Sequence, residues 1–367
     1  MESLQTMLKH SAVHITKRPE LTNKQGMKIR IFAIIMALTA GAIFLLVLGN
    51  NPFVIYGTIL SGAFRSKMAI QATLKIMIPL FITSLGVTLA YKMLFWNIGA
   101  EGQIIMGAIF SSYFALFHAN WPKPVLLLVM LIAGIIGGGL WGLIPAFFKA
   151  KYNTNETLFT LMLNYIALHI ISYLRDGPWR DPENPGFAKI ATFDANAHLP
   201  KVFGVHIGWI VALILFVIIS IYLKYTKQGY EISVVGVSNN TAKYAGMDVK
   251  KIILRTVFFS GAVCGISGML QVSGSDLTLA SGVAGGVGFT AIIVAWLANL
   301  NPAMIMLVSL LFSVLEKGGS VVQSAYNLST DCSDVLQGII LFFILGCEFF
   351  IRYRFGISKN QVKEGVK

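Results

Sequence analysis

Charged side chains are scarce in this 367-residue sequence, in which Asp, Glu, Lys and Arg together make up 12% of the residues. Soluble globular domains carry about twice that fraction. Hydrophobic residues make up 56% of the chain, and the mean hydropathy is +0.72. This composition excludes an ordinary soluble protein and predicts a protein embedded in a lipid bilayer.

Groups that carry chemistry are also few. The three cysteines, Cys264, Cys332 and Cys347, are scattered and match neither a disulfide framework nor a zinc site. The six histidines show no metal-ligand spacing, and the dipeptide Gly-Lys of a phosphate-binding loop never occurs. We therefore predict no catalytic residue, no metal site and no cofactor bound by this chain, and an intramembrane enzyme is the weakest alternative.

Apolar runs dominate what is present. Ten of them approach the roughly 20 residues needed to cross a bilayer, and they lie at 31–49, 70–91, 98–117, 124–148, 156–174, 207–223, 253–272, 286–300, 302–316 and 334–352. The predicted fold class is all-α, a polytopic membrane protein with about ten transmembrane helices. If the N terminus lies inside the cell, twenty of the 29 Lys and Arg residues fall on the inner side, which favours cytoplasmic N and C termini.

These spans divide the chain into three predicted parts. A cytoplasmic N-terminal arm (1–30) precedes a transmembrane domain (31–352), and a cytoplasmic tail (353–367) follows it. The domain includes an extracellular loop at 175–206 and a cytoplasmic loop at 224–252. The net charge of +13 is explained by basic residues that border anionic lipid, so we predict a bilayer partner and no nucleic acid.

Small residues indicate close helix packing. Gly134, Gly138 and Gly142 recur every four residues in the fourth run, and Gly261 and Gly265 do so in the seventh. The second to fifth runs and the seventh to tenth form two quartets of opposite orientation, because a single run separates them. This arrangement is typical of the inverted repeats of transporters.

The segment FWNIGAEGQIIMGA (95–108) places polar residues between two of the runs. Asn97 is a suitable helix N-cap, so a half-helix is predicted to start inside the membrane. Glu101 lies in its first turn, where the helix dipole favours an anion. Glu101 either holds the broken helix to backbone amides and to Lys92 or Lys75, or lines the path of a solute.

Three amides complete the candidate pathway. Asn97 and Gln103 would line it together with Glu101, and Asn164 is a further buried amide that either faces the path or makes an interhelical hydrogen bond. In the cytoplasmic loop, Asn239 or Asn240 is predicted to cap a short helix that ends near Tyr244, with Gly246 as its stop.

Three separated motifs now indicate a family. LFWNIGAEGQIIMGA (94–108), NETLFTLMLNYIALHIISYLRDGPWRDP (155–182) and the segment from TKQGYEISVVGV to AVCGISGML (226–270) resemble the permease subunits of bacterial ABC importers in the ribose and branched-chain amino acid class. More narrowly, they resemble the nucleoside or simple-sugar branch. The resemblance runs in order from about residue 31 to 350.

This resemblance implies one half of a type II-like importer in the bacterial cytoplasmic membrane. It implies a separate ABC ATPase subunit that uses ATP, a paralogous second permease or a second copy of this chain, and an extracellular substrate-binding lipoprotein. By the same resemblance, the ATPase contacts are Gly229, Glu231, Gly236, Asn239, Ala242 and Gly246. The outer loop is the candidate receptor surface, with Arg175, Asp176, Trp179, Arg180 and Asp181, and an inert cover is the slightly less favoured alternative.

Substrate and driving force remain open at this point. A nucleoside is favoured and a simple sugar is the alternative, because the receptor selects the solute in such systems. A secondary transporter driven by protons or sodium is less favoured, since few ionisable groups lie in or near the spans and no second carboxylate clearly neighbours Glu101.

Overall fold

The computed structural model describes residues 13–17, 23–183, 186, 188–326 and 330–357. Residues 1–12 and 18–22 of the predicted arm and 358–367 of the predicted tail lie outside the described residues. Helices make up most of the described chain, as the all-α prediction requires.

Each of the ten apolar runs forms a helix. The helices are α1 (Asn23–Val47), α2 (Pro52–Phe64), α3 (Lys67–Lys92), α4 (Ala100–Phe117), α5 (Lys123–Tyr152), α6 (Glu156–Asp176), α7 (Gly208–Tyr225), α8 (Lys227–Val237), α9 (Asn239–Tyr244), α10 (Val249–Gln271), α11 (Val287–Leu297), α12 (Pro302–Tyr326) and α13 (Thr330–Arg352). Of these, α2, α8 and α9 lie outside the predicted runs.

Seven of the described helices are long and apolar enough to cross a membrane, and α1 with α2 forms an eighth candidate that is bent by 113°. The all-α polytopic class is therefore confirmed, and about ten spans is consistent with it. Helix α11 has 11 residues and a length of about 16 Å. It cannot cross about 30 Å of hydrocarbon by itself.

The chain forms two compact units. The first consists of residues 1–58 and 322–367. In it, α1 packs against α13, and strand β1 (Val13–Lys17) pairs antiparallel with strand β4 (Tyr353–Ile357). The described parts of the predicted arm and tail thus meet, a contact that helix periodicity could not predict because it depends on strand pairing between distant segments.

The second unit, Ile59–Val321, contains the site described below. Its centre is the packing of α10 against α3, α4 and α5. Glycines make this packing close: a Cβ at Gly107 would meet the backbone of Gly265, and a Cβ at Gly138 would meet the carbonyl oxygen of Gly261. The small-residue spacing in the sequence is confirmed as a helix contact.

The second unit has two recognisable ends. At one end, α8 and α9 pack beside the last residue of α3, where Gly236 contacts the carbonyl oxygen of Lys92. At the other end lies a hairpin of β2 (Lys201–Val202) and β3 (Val205–His206), and Gln71 near the start of α3 donates a 2.8 Å hydrogen bond to the Phe203 carbonyl. We call these the α8–α9 end and the hairpin end.

The predicted short helix in the loop at 224–252 is confirmed as α9, but its cap is one residue earlier than predicted. The hydroxyl of Ser238, rather than the amide of Asn239 or Asn240, accepts a 3.2 Å hydrogen bond from the Thr241 amide. Gly246 has a φ of 76° and ends the turn after α9.

The close glycine contacts predict that a Gly→Ala change will lower the stability of this protein, which is the opposite of its usual effect in a helix. A Gly→Ala change inside a helix normally stabilises it by about 1 kcal/mol. At Gly265 the added methyl would meet the backbone of α5, which cannot move aside as a side chain can. We expect Gly265→Ala to destabilise the detergent-solubilised protein by about 1–3 kcal/mol in thermal unfolding.

Gly57→Ala is the matched control, since Gly57 lies in α2 and a Cβ there would meet nothing within 4 Å. Its melting temperature should stay the same or rise. A Gly265→Ala protein as stable as the control would contradict the close-packing argument.

Candidate functional site

The chain is broken between α3 and α4, at residues 93–99. Leu94 has a φ of 57°, in the left-handed region, and α4 begins at Ala100. A helix begins in this segment as predicted, and with 18 residues α4 is long enough to cross a membrane rather than half of one. Asn97 is not its N-cap. Gly99 holds that position, and the Asn97 side-chain oxygen accepts a 3.0 Å hydrogen bond from the Gly99 amide.

Glu101 joins the beginnings of two helices. It lies in the first turn of α4 and is 5% exposed, and its Oε1 and Oε2 accept hydrogen bonds of 2.8 and 2.7 Å from the amides of Gly286 and Gly288. Those amides belong to the start of α11, so one carboxylate lies where two helix N-termini meet. A Cβ at Gly288 would collide with the Glu101 backbone, which shows how close the two helices are.

Asn97 and Gln103 form a buried amide pair. The Asn97 Nδ2 donates to the Gln103 Oε1 at 3.1 Å, and the Gln103 Nε2 donates back to the Asn97 Oδ1 at 3.3 Å. Asn97 also reaches the hydroxyl of Ser260 in α10 at 3.4 Å. The pair therefore ties the broken segment to α4 and to the centre of α10.

Asn164 holds the start of α4 from α6. Its Oδ1 accepts from the Gly102 amide at 2.8 Å, and its Nδ2 donates to the Ile98 carbonyl at 2.9 Å. The interhelical hydrogen bond expected for this amide is thus present. We call Asn97, Glu101, Gln103 and Asn164 the polar brace. The structure brings all four together, and each of their side-chain polar atoms has a protein partner.

A cavity of about 230 Å³ with both apolar and polar walls lies beside the brace. Ile104 and Val287 line it on the brace side, since Ile104 follows Glu101 by one turn and Val287 lies between the two glycines bound by Glu101. Its polar lining consists of Lys75, Gln271, Ser275 and Glu316, together with the backbone of residues 282–285. Gln271 and Ser275 were not singled out from the sequence, although the polar letters QVSGSD at the end of an apolar run were an available signal.

The hairpin end closes over the end of α10. There the helix continues as one π-helical turn, Val272–Asp276, a distortion that is frequent at functional sites. The ring of His206 is buried against Gly274, and its Nδ1 accepts a 3.2 Å hydrogen bond from the Gly208 amide. Burial, together with the charges of Lys75 and Lys201, lowers the pKa of His206 to about 4, so this ring is neutral at pH 7.

The α8–α9 end connects to the brace through one apolar core. Ile232 and Val235 of α8 and Ala242 of α9 belong to the same buried cluster as Met93 and Phe95 of the broken segment. An ion pair of 2.9 Å between Arg255 and Glu231 fastens α8 to α10. A displacement of α8 would therefore act directly on the segment that precedes Asn97.

Some of the predicted ATPase contacts are buried and others are exposed. Gly229 and Ala242 are buried, and Glu231 is engaged by Arg255, whereas Asn239 and Gly246 are exposed. Gly236 is half-buried against α3. Sequence reasoning missed three large apolar side chains on this surface that are strongly exposed, which are Tyr230 (64%), Val237 (85%) and Tyr244 (94%). We call these three the α8–α9 patch.

The predicted docking residues lie at the end of α6 and the start of the following loop. Arg175 and Asp176 make a two-bond ion pair with each other, and Trp179 packs its ring against Tyr113 and Phe117 of α4. Arg180 is exposed, but Asp181 is buried and faces Lys189 at 3.7 Å. Residues 184, 185 and 187 of this loop lie outside the described residues.

No group of three or more His, Cys, Asp or Glu side chains that could hold a metal ion comes together in the part of the chain that the structure describes. The chemistry on offer is hydrogen bonding, in the brace and in the cavity.

Three relatives cover most of this chain. A glucose ABC transporter permease protein, TsgB13 of Haloferax volcanii, is 31% identical over 343 residues, which are 90% of this chain and 90% of that protein. A guanosine ABC transporter permease protein, NupP of Bacillus subtilis, is 29% identical and covers 90% of this chain and 96% of its own length. A nucleoside ABC transporter permease protein, NupB of Lactococcus lactis, is 30% identical and covers 86% of this chain and 89% of its own length.

The family match includes the starts of α4 and α11, which Glu101 joins, and it also includes the cavity lining and the α8–α9 end. Residues 69–345 match the family described as the branched-chain amino acid transport system permease component. The match takes in most of the helices, and the ABC permease resemblance of the sequence motifs is confirmed. The chain is a multi-pass membrane protein and belongs to the family of branched-chain amino acid transport system permease components.

Proposed function

We propose that this chain is the permease subunit of an ATP-driven importer that moves nucleosides into the cell. The observation that carries this proposal is the similarity, over most of the chain, to a guanosine permease and a nucleoside permease. The cavity supports it, since its amide, hydroxyl, ammonium and carboxylate groups suit the hydroxyls of ribose and the polar edge of a base.

The proposed assembly has the α8–α9 end in the bacterial cytoplasm and the hairpin end outside. A separate ABC ATPase binds the α8–α9 patch, where exposed aromatic and aliphatic side chains are suited to a protein partner. A second permease, a paralogue or a second copy, completes the pathway. A substrate-binding lipoprotein delivers the solute at the end of α6 and the following loop, where Arg175, Asp176 and Arg180 lie.

In the proposed mechanism, ATP binding moves the ATPases and they push on α8 and α9. The apolar core passes this displacement to Met93 and Phe95, and thus to the break before α4. Because Glu101 links α4 to α11, the start of α11 and the 282–285 backbone move with it. The cavity then changes its shape, while this chain itself performs no covalent chemistry.

The brace has a mechanical role in this proposal. Glu101, Asn97, Gln103 and Asn164 hold the broken helices in register, and the solute instead meets the groups that line the cavity. The hydrogen bonds of the brace support this assignment, since its polar atoms are already engaged by the protein.

A simple sugar is the second candidate substrate. The similarity to a glucose permease at 31% identity favours it. The hydroxyls of ribose and of a hexose can form the same hydrogen bonds with the cavity lining. Uptake measurements must therefore distinguish a nucleoside substrate from a simple sugar.

Deletion of the gene should abolish uptake of radiolabelled uridine and adenosine and leave ribose uptake unchanged. Because the proposed energy source is ATP, the lost uptake should resist a protonophore at constant ATP. Re-expression of the natural chain is the control. If only ribose uptake falls, the sugar candidate replaces the nucleoside, and protonophore-sensitive uptake would contradict an ATP-driven importer.

Glu101→Gln should reduce nucleoside uptake and thermal stability together while membrane insertion is retained. The amide keeps the shape but replaces one acceptor oxygen with a donor that faces a backbone N–H. Loss of one such charged hydrogen bond costs about 1.5–3 kcal/mol. Uptake, membrane content and detergent melting temperature should be measured on the same preparations.

Glu183→Gln is the stability control, because this carboxylate is exposed in the loop after α6. A Glu101→Gln protein with unchanged melting temperature but reduced uptake would favour a solute contact over the brace role. If uptake and melting temperature are both unchanged in Glu101→Gln, the brace role and the solute-contact role are both excluded.

The α8–α9 patch should determine ATPase binding. Tyr244→Ala and Val237→Ala should each reduce the ATPase that copurifies with the tagged permease by about tenfold, because truncation of an interface anchor costs about 1–2 kcal/mol. Phe203→Ala, at the hairpin end and 81% exposed in the natural chain, is the matched control. Equal ATPase recovery from all three variants would contradict the assignment.

A further inference from the structure

Three aromatic rings lie together at the α8–α9 end. Trp96 of the broken segment stacks on Trp296 near the end of α11, with ring centroids 5.4 Å apart and an interplanar angle of 21°. Tyr91 of α3 meets both indoles edge-on, at 5.5 and 5.7 Å. We call these three side chains the aromatic cluster.

Two features of the cluster are not explained by packing. Trp96 is 44% exposed, so one large aromatic surface of the stack remains uncovered. Tyr91 is 1% exposed, and its buried hydroxyl has no hydrogen-bond partner within the described part of the chain. A buried polar group without a partner is destabilising, and a hydrogen bond with a bound polar ligand would remove that cost.

The cluster lies on the same elements as the cavity. Lys75, Ile76 and Pro79 of α3 and Val287 of α11 line the cavity, and Tyr91 and Trp296 lie further along these two helices. From Val287 to Trp296 the rise along α11 is about 14 Å. The cavity and the cluster therefore lie on opposite sides of the α11 start, which Glu101 anchors.

We propose that the aromatic cluster is a second solute site, on the α8–α9 side of the brace, and that it binds the planar base of the transported nucleoside. This inference rests on the proposed nucleoside function. The base extends the stack on Trp96, and the Tyr91 hydroxyl gains a hydrogen bond with a polar group of the solute. Stacking on indole tolerates any base, so the site passes purine and pyrimidine nucleosides alike.

The test is uptake by the complete transporter in cells that carry permease variants. Trp96→Ala should reduce adenosine and guanosine uptake about tenfold, because the loss of one base–aromatic stack weakens binding by about that factor. Uridine should lose less because its ring is smaller, and Trp96→Phe should restore most of the activity. Trp121→Ala, at a half-exposed indole before α5, is the matched control and should behave as the natural chain.

Tyr91→Phe removes only the hydroxyl, which donates to and accepts from no group among the described residues. It should keep the natural membrane content and an equal or higher melting temperature, because a buried unpartnered hydroxyl is removed, but it should raise the KM for nucleosides. Binding of 2-aminopurine riboside to the purified complex provides a direct measurement, because stacking on indole quenches its fluorescence. Trp96→Ala should abolish the quenching.

Two outcomes would overturn the proposed site. If uptake and fluorescence quenching in Trp96→Ala equal those of the natural chain, stacking on this ring is excluded. An equal loss for all solutes, with a lower melting temperature, would assign the cluster to packing alone. Absence of nucleoside uptake by the natural chain would instead defeat the proposed function itself, so the two failures are distinguishable.

Discussion

The buried carboxylate of Glu101 is the contact on which the centre of the second unit depends. A charge within a membrane-embedded bundle is expensive, and it is tolerated only where compensating groups surround it. Here two backbone amides at the start of α11 supply hydrogen bonds, and the first turn of α4 supplies a second helix dipole of the favourable sign. Without an anion, the positive ends of both helices would meet unopposed.

This contact explains why the glycines around it are needed. Gly286 has a φ of 81°, and Gly288 lies against the Glu101 backbone, so neither position tolerates a side chain without strain or collision. The side-chain amides of Asn97, Gln103 and Asn164 supply further hydrogen bonds near the break. The outcome is a buried joint inside the helix bundle, held by hydrogen bonds made by side chains that are at most 5% exposed.

A buried joint suits the proposed transport cycle. The α8–α9 end shares an apolar core with Met93 and Phe95, and these residues lead directly into the joint. In the proposed mechanism, a force applied at α8 reaches α11 through these buried contacts. In the proposed mechanism the cavity and the aromatic cluster lie on the two sides of this joint, so its movement would pass the solute from polar contacts to stacking contacts.

The sequence by itself determined the membrane class, the positions of the ten apolar helices, the helix start after residue 97 and the short helix after residue 238. These features are local, because apolar runs, glycines and capping residues act within a few positions of the chain. It erred on the caps, where Gly99 and Ser238 replaced the predicted asparagines, since neighbouring residues of similar capping ability compete at a helix start.

Only the tertiary structure decided what those residues contact. The partners of Glu101 are 185 and 187 positions away in the chain, and Ser260 is 163 positions from Asn97. The sequence offered backbone amides together with Lys92 or Lys75 as partners of Glu101, and nothing in a local pattern could select the amides of Gly286 and Gly288. The β1–β4 pair, the cavity lining and the aromatic cluster likewise join distant segments. Such contacts arise from how helices pack and bend, which the one-dimensional pattern does not record.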